Sequence, residues 1–555
     1  MPLLKTFTLF HSTLMDNTTE NISSLLNSFM NGMMRRYQKT ESEIKIMKVN
    51  NDSFFLSVNA VFILLMQAGF AFFEVGMVRS KNVINMFLKN VLDAFLSGLS
   101  YWAFGFAFAF GVPGNWFVGH NYFFGTNMSA NLFSNWFFQY SFCVTAATIV
   151  SGALAERCDF KAYAAYSLWI SGITYPIVAH WAWADEGWLK KMGYQDFAGS
   201  GVVHMVGGTA ALVGAMVMGP RIGRFPKFGE PGGPMPGHNI AYVTLGSFLL
   251  FCGFFAFNAG SQGSISVHLD GEQTGRAMMT TILAASPAAC LGALIYRLAS
   301  EEKKFSLIGT LSCALAGMVS ICAGCNEVDP WAALVIGSIS APIFYAVSQL
   351  LRRLEIDDPV DAVALHLGAG VWGVLGVALL DNKHGVLLFW SRQSFLHLAW
   401  NIIGVAAIFC WSVMTTLPLF LGLKACRSLR VHPYIEIEGL DKSKHEEIAY
   451  PEHDSNESLF RPSKSYQQLL QNRLTKENDR RRQTDAEKLA KVIMMSCYQH
   501  NPKNGDFKVP MQNQIQPVAA ENPTQITNGD ANHVSPIYST TVVQPAADDS
   551  SLIIA

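Results

Sequence analysis

Asp196-Phe-Ala-Gly-Ser-Gly-Val-Val-His204 and Asp358-Pro-Val-Asp-Ala-Val-Ala-Leu-His366 are two stretches of one chain that share a pattern. In each stretch an aspartate precedes a histidine by eight residues. Glycines follow both histidines at the same distances, four and ten residues on: Gly208 and Gly370, then Gly214 and Gly376. The same residue types at the same offsets indicate an internal repeat, a common feature of membrane transport proteins.

The composition around these stretches is that of a membrane protein. Half of the 555 residues are hydrophobic and 15% are charged, whereas a soluble domain carries roughly 25% charged residues. Charged residues are scarce between about Phe54 and Leu423 and frequent after that segment. We therefore expect a body embedded in a lipid bilayer, followed by a polar tail. The net charge of −1, without a long basic stripe, argues against a nucleic-acid partner.

A membrane-spanning helix needs about 20 apolar residues, and eleven segments of the sequence qualify. They are predicted at about 54–76, 88–111, 132–154, 162–180, 197–219, 239–257, 276–298, 305–324, 331–351, 361–380 and 397–423. The predicted fold is thus an all-α multi-pass membrane protein with eleven transmembrane helices. The histidine stretches open the fifth and tenth spans, which cross in opposite directions. This arrangement predicts a five-plus-five inverted repeat with the functional site between its halves.

The charges of the loops predict the orientation, because Lys and Arg stay on the cytoplasmic side. Loops on one side carry sixteen Lys and Arg and those on the other carry five. The N-terminus is therefore expected outside the cell and the C-terminus inside, although Arg35, Arg36, Lys45 and Lys48 of the N-terminal tail count against this. Four candidate N-glycosylation sites fall outside in this arrangement: Asn17, Asn21, Asn51 and Asn127.

Four regions follow from these boundaries. Residues 1–51 are predicted to be an extracellular N-terminal tail, 52–424 the transmembrane domain, 425–450 a cytoplasmic segment next to the membrane, and 451–555 a largely disordered cytoplasmic tail. A charged helix is expected at about 465–497. No cleaved signal peptide is predicted, because the apolar stretch near the start is interrupted by Lys5 and His11.

The two histidines are the first candidates for function. Each lies about 10–12 Å into its helix, at 1.5 Å per residue from its aspartate. An ionisable side chain at that depth is costly and usually faces a cavity or a partner. The alternative is that each histidine is structural and bonds to a neighbouring helix. The matching positions of His204 and His366 in the repeat argue against this alternative. Two ligands without a third make a metal site unlikely on these residues. Asp196 and Asp358 are expected to cap their helices, and the glycines to allow close packing.

At this point the sequence resembles the ammonium transporter family (Amt/Mep/Rh), on the Amt branch. The stretch from Asp196 to Gly208 is similar to the signature of the fifth span. Other matching motifs are Phe257-Asn-Ala-Gly-Ser261, Ala153-Leu-Ala-Glu-Arg157, Asp357-Asp-Pro-Val-Asp361 and, at the start of the tail motif, Gly439-Leu-Asp441. The resemblance covers about residues 52–450.

The resemblance implies a homotrimer with one pore per subunit, and it implies roles for single residues. Trp183, Phe142 and Ser261 resemble an outer site that recruits ammonium. Phe142 and Phe257 resemble a stacked gate, and His204 and His366 the paired histidines of the pore. The implied function is transport of ammonium, ammonia or methylammonium across the plasma membrane, without an enzymatic activity, a cofactor or a metal.

Physical chemistry gives these implied roles a reason. Aromatic faces attract a small cation by about 0.5–2 kcal/mol, and a serine hydroxyl can accept one of its N–H bonds. Neutral ammonia crosses an apolar lumen at far lower cost than an ion. A site that removes a proton below the gate would therefore reject potassium. The sequence leaves open whether the proton follows separately.

Two other classes fit part of the pattern. A secondary transporter for another small solute would share the inverted repeat but needs broken helices, and the fifth and tenth spans do not look broken. A membrane sensor that signals through its tail is the second alternative. In the tail, His445-Glu446-Glu447 departs from the family's His-Gly-Gly, which weakens the case for control by the tail or by a cytoplasmic regulator. Ser443 is a candidate phosphorylation site there.

Overall fold

The structure is a computed structural model that describes residues 2–226, 232–450 and 483, with side chains from residue 21 onward. Residues 2–226 and 232–450 lie in one compact unit. Within them every regular element is helical. The predictions for the tail beyond 450, namely the helix at 465–497 and the disorder, lie outside the described residues apart from position 483.

Eleven helical segments make up the body, and several of them contain a π-helical turn. They are α1 (Pro2–Met77), α2 (Val83–Ser100, Tyr101–Gly105 and Phe106–Phe110), α3 (Phe133–Ala153), α4 (Phe160–Trp169, Ile170–Thr174 and Tyr175–Trp183), α5 (Ser200–Met205 and Val206–Met218), α6 (Ile240–Gly260), α7 (Asp270–Ala299), α8 (Leu307–Ile321), α9 (Pro330–Arg353), α10 (Val363–Gly368 and Ala369–Leu380) and α11 (Arg392–Ala425). Short helices lie outside this set: Trp188–Met192, Pro433–Glu438 and Asp441–His445.

These segments coincide with the eleven predicted spans. By length and hydropathy alone, eight helices among the described residues could cross a membrane. The others fall outside these limits: α8 has 15 residues, and α3 and α4 contain many tyrosine, tryptophan and polar residues that lower their hydropathy.

Polar side chains set the beginnings of several spans. Asp159 accepts a hydrogen bond from Lys161 N at the start of α4, and Asn239 accepts one from Tyr242 N at the start of α6. Ser391 does the same for Ser394 N at the start of α11. Each side chain satisfies a backbone N–H that the first helical turn leaves without a partner. The loops therefore fix where the spans begin.

The first helix is longer than the predicted span 54–76. Residues 1–51 were expected to be a tail, whereas α1 continues without a break through Pro2–Met77. At Asp52 it contacts the loop after α6, since the Asp52 carboxylate accepts hydrogen bonds from Ile265 N at 2.8 Å and Ser266 N at 3.1 Å. Sequence reasoning missed this extension because its charges break the apolar run.

The α5 and α10 helices cross at the matched glycines of the repeat. A Cβ on Gly208 would collide with the backbone of Leu367, and one on Gly370 would lie 2.6 Å from the Ser200 carbonyl oxygen. The absence of side chains allows this close approach. Because α5 and α10 begin at opposite ends of the body, the crossing brings His204 and His366 together. This is the five-plus-five inverted repeat that the sequence predicts.

Candidate functional site

A vestibule of about 710 Å³ opens at the end of the body where α4 and α6 finish. We call this the vestibule end. Trp183, Phe142 and Ser261, which the sequence resemblance assigns to one outer site, all line this cavity. Phe142 and Trp183 lie edge to face, with ring centroids 5.9 Å apart and planes at 87°. The three side chains come from α3, α4 and the residue after α6, which the fold brings together.

Hydrogen bonds fix the polar atoms of the vestibule. The indole Nε1 of Trp183 donates to the Asp196 carbonyl oxygen at 2.7 Å, which holds the ring at the cavity wall. The Ser261 hydroxyl donates to the Phe257 carbonyl oxygen at 2.8 Å. Because its proton is used within its own helix, the Ser261 oxygen has lone pairs free to accept from a donor in the vestibule.

Two stacked rings lie at the floor of the vestibule. The Phe142 and Phe257 ring centroids are 4.1 Å apart, and their planes are inclined by 26°. Both side chains are buried. This offset stack leaves no room for a solute between the rings.

The paired histidines follow beneath the stack. His204 lies 5.4 Å from Phe257 between ring centroids. Its Nδ1 is 3.1 Å from Nδ1 of His366, and the two imidazoles are nearly parallel at 18°. One Nδ1 therefore donates and the other accepts. In the neutral pair the donor ring has a bare Nε2 and the acceptor ring a protonated one, so the two Nε2 atoms are one acceptor and one donor.

Aromatic and sulfur atoms surround the pair. Phe254 stacks on His204 at 5.6 Å, and Phe70 lies 6.1 Å from His366 on the other side. The Cys322 Sγ is 3.8 Å from His204 Nε2. Ring contacts thus continue from Trp183 through the phenylalanine stack and both histidines to Phe70. The side chains around the pair are mostly apolar, and the imidazoles supply polar atoms among them.

The repeated aspartates hold the starts of the two histidine helices. The Asp196 carboxylate accepts hydrogen bonds from the backbone N–H groups of Gly199, Gly201 and Val202. The Asp358 carboxylate accepts them from Val360 and Val363. Both are N-capping arrangements. In each repeat the cap precedes a π-helical turn that contains the histidine.

A cluster of buried ion pairs closes the opposite end of the body, which we call the network end. The Arg221 guanidinium contacts the Glu156 carboxylate at 2.6 Å and the Asp357 carboxylate at 2.8 Å. Arg79 pairs with the other oxygen of Glu156. The Arg157 guanidinium donates to the carbonyl oxygens of Asp357, Gly219 and Ala155. The cluster joins the loops after α1, α3, α5 and α9.

Charge pairing dominates the protonation of this cluster. Burial by itself raises the pKa of Glu156, but Arg221 and Arg79 outweigh it and lower that pKa from 4.5 to about 2. Burial likewise raises the pKa of Asp357, and the hydrogen bonds and charge of Arg221 lower it from 3.8 to about 2. Both carboxylates are therefore ionised at neutral pH.

The tail motif docks on the network end. The Asp441 carboxylate accepts hydrogen bonds from Ile84 N at 3.1 Å and Asn85 N at 2.9 Å at the start of α2. Glu436 accepts one from Ile222 N at 2.8 Å. The Ser443 hydroxyl donates to the Glu438 carboxylate at 2.6 Å. The segment therefore contacts the start of α2 and the loop that connects α5 to α6.

Sequence reasoning missed two features of these sites. Asp185 and Glu186 also line the vestibule, and Asp185 pairs with Lys190 at 2.8 Å. Their signal was the pair of acidic residues two positions after Trp183. The ion-pair cluster was missed because its arginines were counted only as loop charges. The signal there was the presence of acidic residues, Glu156 and Asp357, directly beside apolar spans.

The sequence is similar to those of known ammonium transporters. A model of the Ammonium Transporter Family matches residues 54–450. An ammonium transporter 1 of Caenorhabditis elegans is 43% identical over 430 residues, which cover 72% of this chain and 79% of the relative. Ammonium transporter 1 member 2 of Oryza sativa subsp. japonica is 40% identical over 414 residues, 69% of this chain and 83% of the relative.

Solved structures share the fold. A structure described as a Sensor Amt Protein superposes with a TM-score of 0.67 and 35% identity, covering 72% of this chain and all of that chain. Saccharomyces cerevisiae Mep2 superposes with a TM-score of 0.63 at 24% identity, over 69% of this chain and 87% of that chain. The family match spans more than two thirds of the chain, and the chain therefore belongs to the ammonium transporter family.

Proposed function

We propose that this ammonium transporter recruits the ammonium ion at Trp183, Phe142 and Ser261, removes a proton below the stacked gate, and conducts ammonia past the paired histidines. The observation that carries the proposal is the arrangement of His204 and His366 in an apolar path directly behind Phe142 and Phe257.

The vestibule has the chemistry to select ammonium from water. The Trp183 and Phe142 rings attract a cation by about 0.5–2 kcal/mol, and the free lone pairs of the Ser261 hydroxyl accept one of its N–H bonds. Asp185 and Glu186 add negative charge near the entrance, of which Lys190 offsets part. A cation is thereby favoured at the vestibule over an anion.

The path beneath the gate favours the neutral species. An unpaired ion in an apolar environment is far more costly than ammonia, whose transfer resembles that of other small polar groups. The bare Nε2 of the imidazole pair can accept an N–H bond from ammonia, and the protonated Nε2 can donate to its lone pair. The pair can hold or pass the released proton, since imidazole exchanges protons readily. Potassium cannot lose a proton, so it would have to enter the apolar path as an ion, at the full free-energy cost of transferring a charge.

The orientation and assembly extend this proposal. We place the vestibule outside the cell in the plasma membrane and the network end inside, on the support of the loop charges. We also propose a homotrimer with one pore in each subunit. The tail motif, residues 425–450, would then be available to a cytoplasmic regulator, because it contacts the start of α2 and the loop that connects the two halves of the repeat.

The experiment is uptake of labelled methylammonium by cells that lack their own ammonium transporters. Replacing both His204 and His366 by leucine removes the imidazole nitrogens from the path. We expect uptake to fall by at least about thirty-fold, because leaving a polar solute unpaired costs about 2 kcal/mol or more. The matched control is His268→Leu, which lies outside the described spans between α6 and α7.

A double variant that reaches the cell surface and matches the parent in methylammonium uptake, potassium exclusion and pH dependence would refute the lumenal role of the pair. In that case His204 and His366 would be structural residues at the helix crossing.

A further inference from the structure

The part of α1 that precedes the membrane span carries an exposed apolar stripe. Every side chain from residue 21 to residue 51 is exposed. Large apolar residues are frequent among them, for example Leu26 at 60%, Tyr37 at 65% and Met47 at 57% exposure. In proteins most helical stability comes from packing of an apolar face rather than from helix propensity. Among the described residues, this face has no such packing partner.

The stripe follows a seven-residue period. In the heptad notation a to g, the a positions are Met30, Tyr37, Ile44 and Asn51. The d positions are Leu26, Met33, Thr40 and Met47. Six of these eight residues are apolar, and a repeat of this kind over four heptads indicates a coiled coil. A single asparagine at an a position is the usual device that fixes register and strand number.

The charges beside the stripe identify the partner. In a parallel coiled coil, a g residue of one chain faces the e residue five positions further along its neighbour, and these pairs set partner choice. Here Arg36 at g would face Glu41 at e. Glu43 at g would face Lys48 at e. Both pairs are attractive between identical chains in parallel, in-register alignment.

The same period continues into the membrane span. Phe54 and Val61 occupy d positions, and Val58 and Leu65 occupy a positions. All four side chains are also exposed in the single chain, between 37% and 70%. The face with this period is therefore continuous with the surface of the transport domain. A second copy of the chain that contacts these residues of the membrane span could therefore also contact the stripe, because both lie on the same face of α1.

We propose that residues 26–51 of α1 form a parallel coiled-coil stalk with the same residues of the other subunits. This inference rests on the proposed homotrimer and adds an interface to it. The stalk rises from the vestibule end, on the side of the body where Asp52 contacts the loop after α6. Asn51 begins an N-glycosylation motif. In the stalk it would occupy an a position between the helices, where a glycan would not fit, so we expect it to be unmodified. Asn21, at an outward f position, stays free for a glycan.

The test is oxidative cross-linking of the full chain in membranes. Met33→Cys places a thiol at a d position, where neighbouring chains come within the distance of a disulfide. Ser42→Cys places one at an f position on the opposite face and is the matched control. We expect Met33→Cys to yield covalent dimers and Ser42→Cys to stay at the background of the unsubstituted chain. Met47→Cys, with Val49→Cys as its control, repeats the test one region closer to the membrane.

A charge exchange provides an independent test of the parallel register. On the Met33→Cys chain, Glu43→Lys would place like charges at the g–e pair with Lys48. The cross-linking rate should fall by about two-fold or more, within the 0.2–1 kcal/mol range of exposed pairs. Adding Lys48→Glu restores attraction and should restore the rate. A fall that the second exchange does not reverse would contradict the proposed pairing.

Light scattering of the detergent-purified chain separates this inference from the proposals on which it rests. A mass of three chains, with methylammonium uptake intact but equal or absent cross-linking at residues 33 and 42, would overturn the stalk alone. A mass of one chain would overturn both the homotrimer and the stalk. A glycan on Asn51, detected as a mobility shift lost in Asn51→Gln, would also overturn the stalk.

Discussion

Each end of the transport domain contains one of the two repeated aspartates, Asp196 or Asp358, but the residues around the two aspartates differ. At the vestibule end, Asp196 caps a helix beside Trp183 and an open cavity. At the network end, Asp358 caps the matching helix beside a closed cluster of ion pairs that contains Asp357. The repeat therefore places two histidines symmetrically, whereas the loops give each end its own chemistry. The chemical difference between the two ends therefore comes from residues outside the repeat.

The largest expected effect comes from opening the ion-pair cluster at the network end. Glu156→Gln removes a buried charge that faces both Arg221 and Arg79. Breaking a buried pair by removing one partner typically costs about 3–5 kcal/mol. We expect a clear fall in the thermal unfolding temperature of the purified protein. Glu302→Gln is the control, because that carboxylate is exposed and its one ion pair among the described residues is with the exposed Lys304.

The pH dependence of this effect has a definite sign. The pKa of Glu156 is lowered to about 2 from 4.5, so its contribution to stability is fully present above about 4.5 and is lost as the pH falls through about 2. The difference in unfolding temperature between parent and Glu156→Gln should stay constant from pH 8 to 5 and shrink below that. A difference that vanishes near pH 6 would contradict the charge pairing.

A smaller effect is expected in the difference between the stability losses caused by substituting Asp196 and Asp358. Asp196→Ala leaves three backbone N–H groups without their acceptor, and Asp358→Ala leaves two. Each unsatisfied buried donor costs about 1–3 kcal/mol, with partial relief from rearrangement. We expect both variants to be destabilised, and Asp196→Ala more strongly. Parallel thermal unfolding of the two variants tests this order, and the reverse order would show that the caps are not the dominant contacts.

If the vestibule recruits ammonium as proposed, substitutions in it should change affinity more than stability. Trp183→Leu removes a cation-binding face, which is worth about 0.5–2 kcal/mol, or up to about thirty-fold in affinity. We expect the concentration for half-maximal methylammonium uptake to rise. The maximal rate must be measured separately, because a smaller side chain also widens the entrance. Trp390→Leu is the control, since Trp390 is 79% exposed and does not line the vestibule. An unchanged concentration dependence in Trp183→Leu would reject recruitment at this ring.

The smallest expected effect lies in the tail. A phosphate on Ser443 would meet the Glu438 carboxylate that now accepts its hydroxyl hydrogen bond, and the like charges would repel. We expect Ser443→Asp to lower uptake by no more than about five-fold, the range of an exposed charge contact of up to 1 kcal/mol. Ser443→Ala is the matched control. Equal uptake by the two variants at equal surface expression would count against control at this position.

The sequence predicted the fold because each membrane span must satisfy its own backbone and is apolar enough to recognise alone. The spacing of Asp196, His204 and Gly208, repeated at Asp358, His366 and Gly370, also predicted the opposed halves. The sequence analysis did not predict that α1 extends through residues 2–51, because charged residues interrupt the apolar positions of its heptads.

The sequence by itself determined the number of spans, their order and the depth of the two histidines, because these depend on hydropathy and on distance along a helix. Only the tertiary structure decided which side chains meet. The stack of Phe142 on Phe257 and the cluster of Glu156, Arg221 and Asp357 join residues far apart in the chain. No local pattern encodes such contacts, since they depend on how the helices cross and on which loops that crossing brings together.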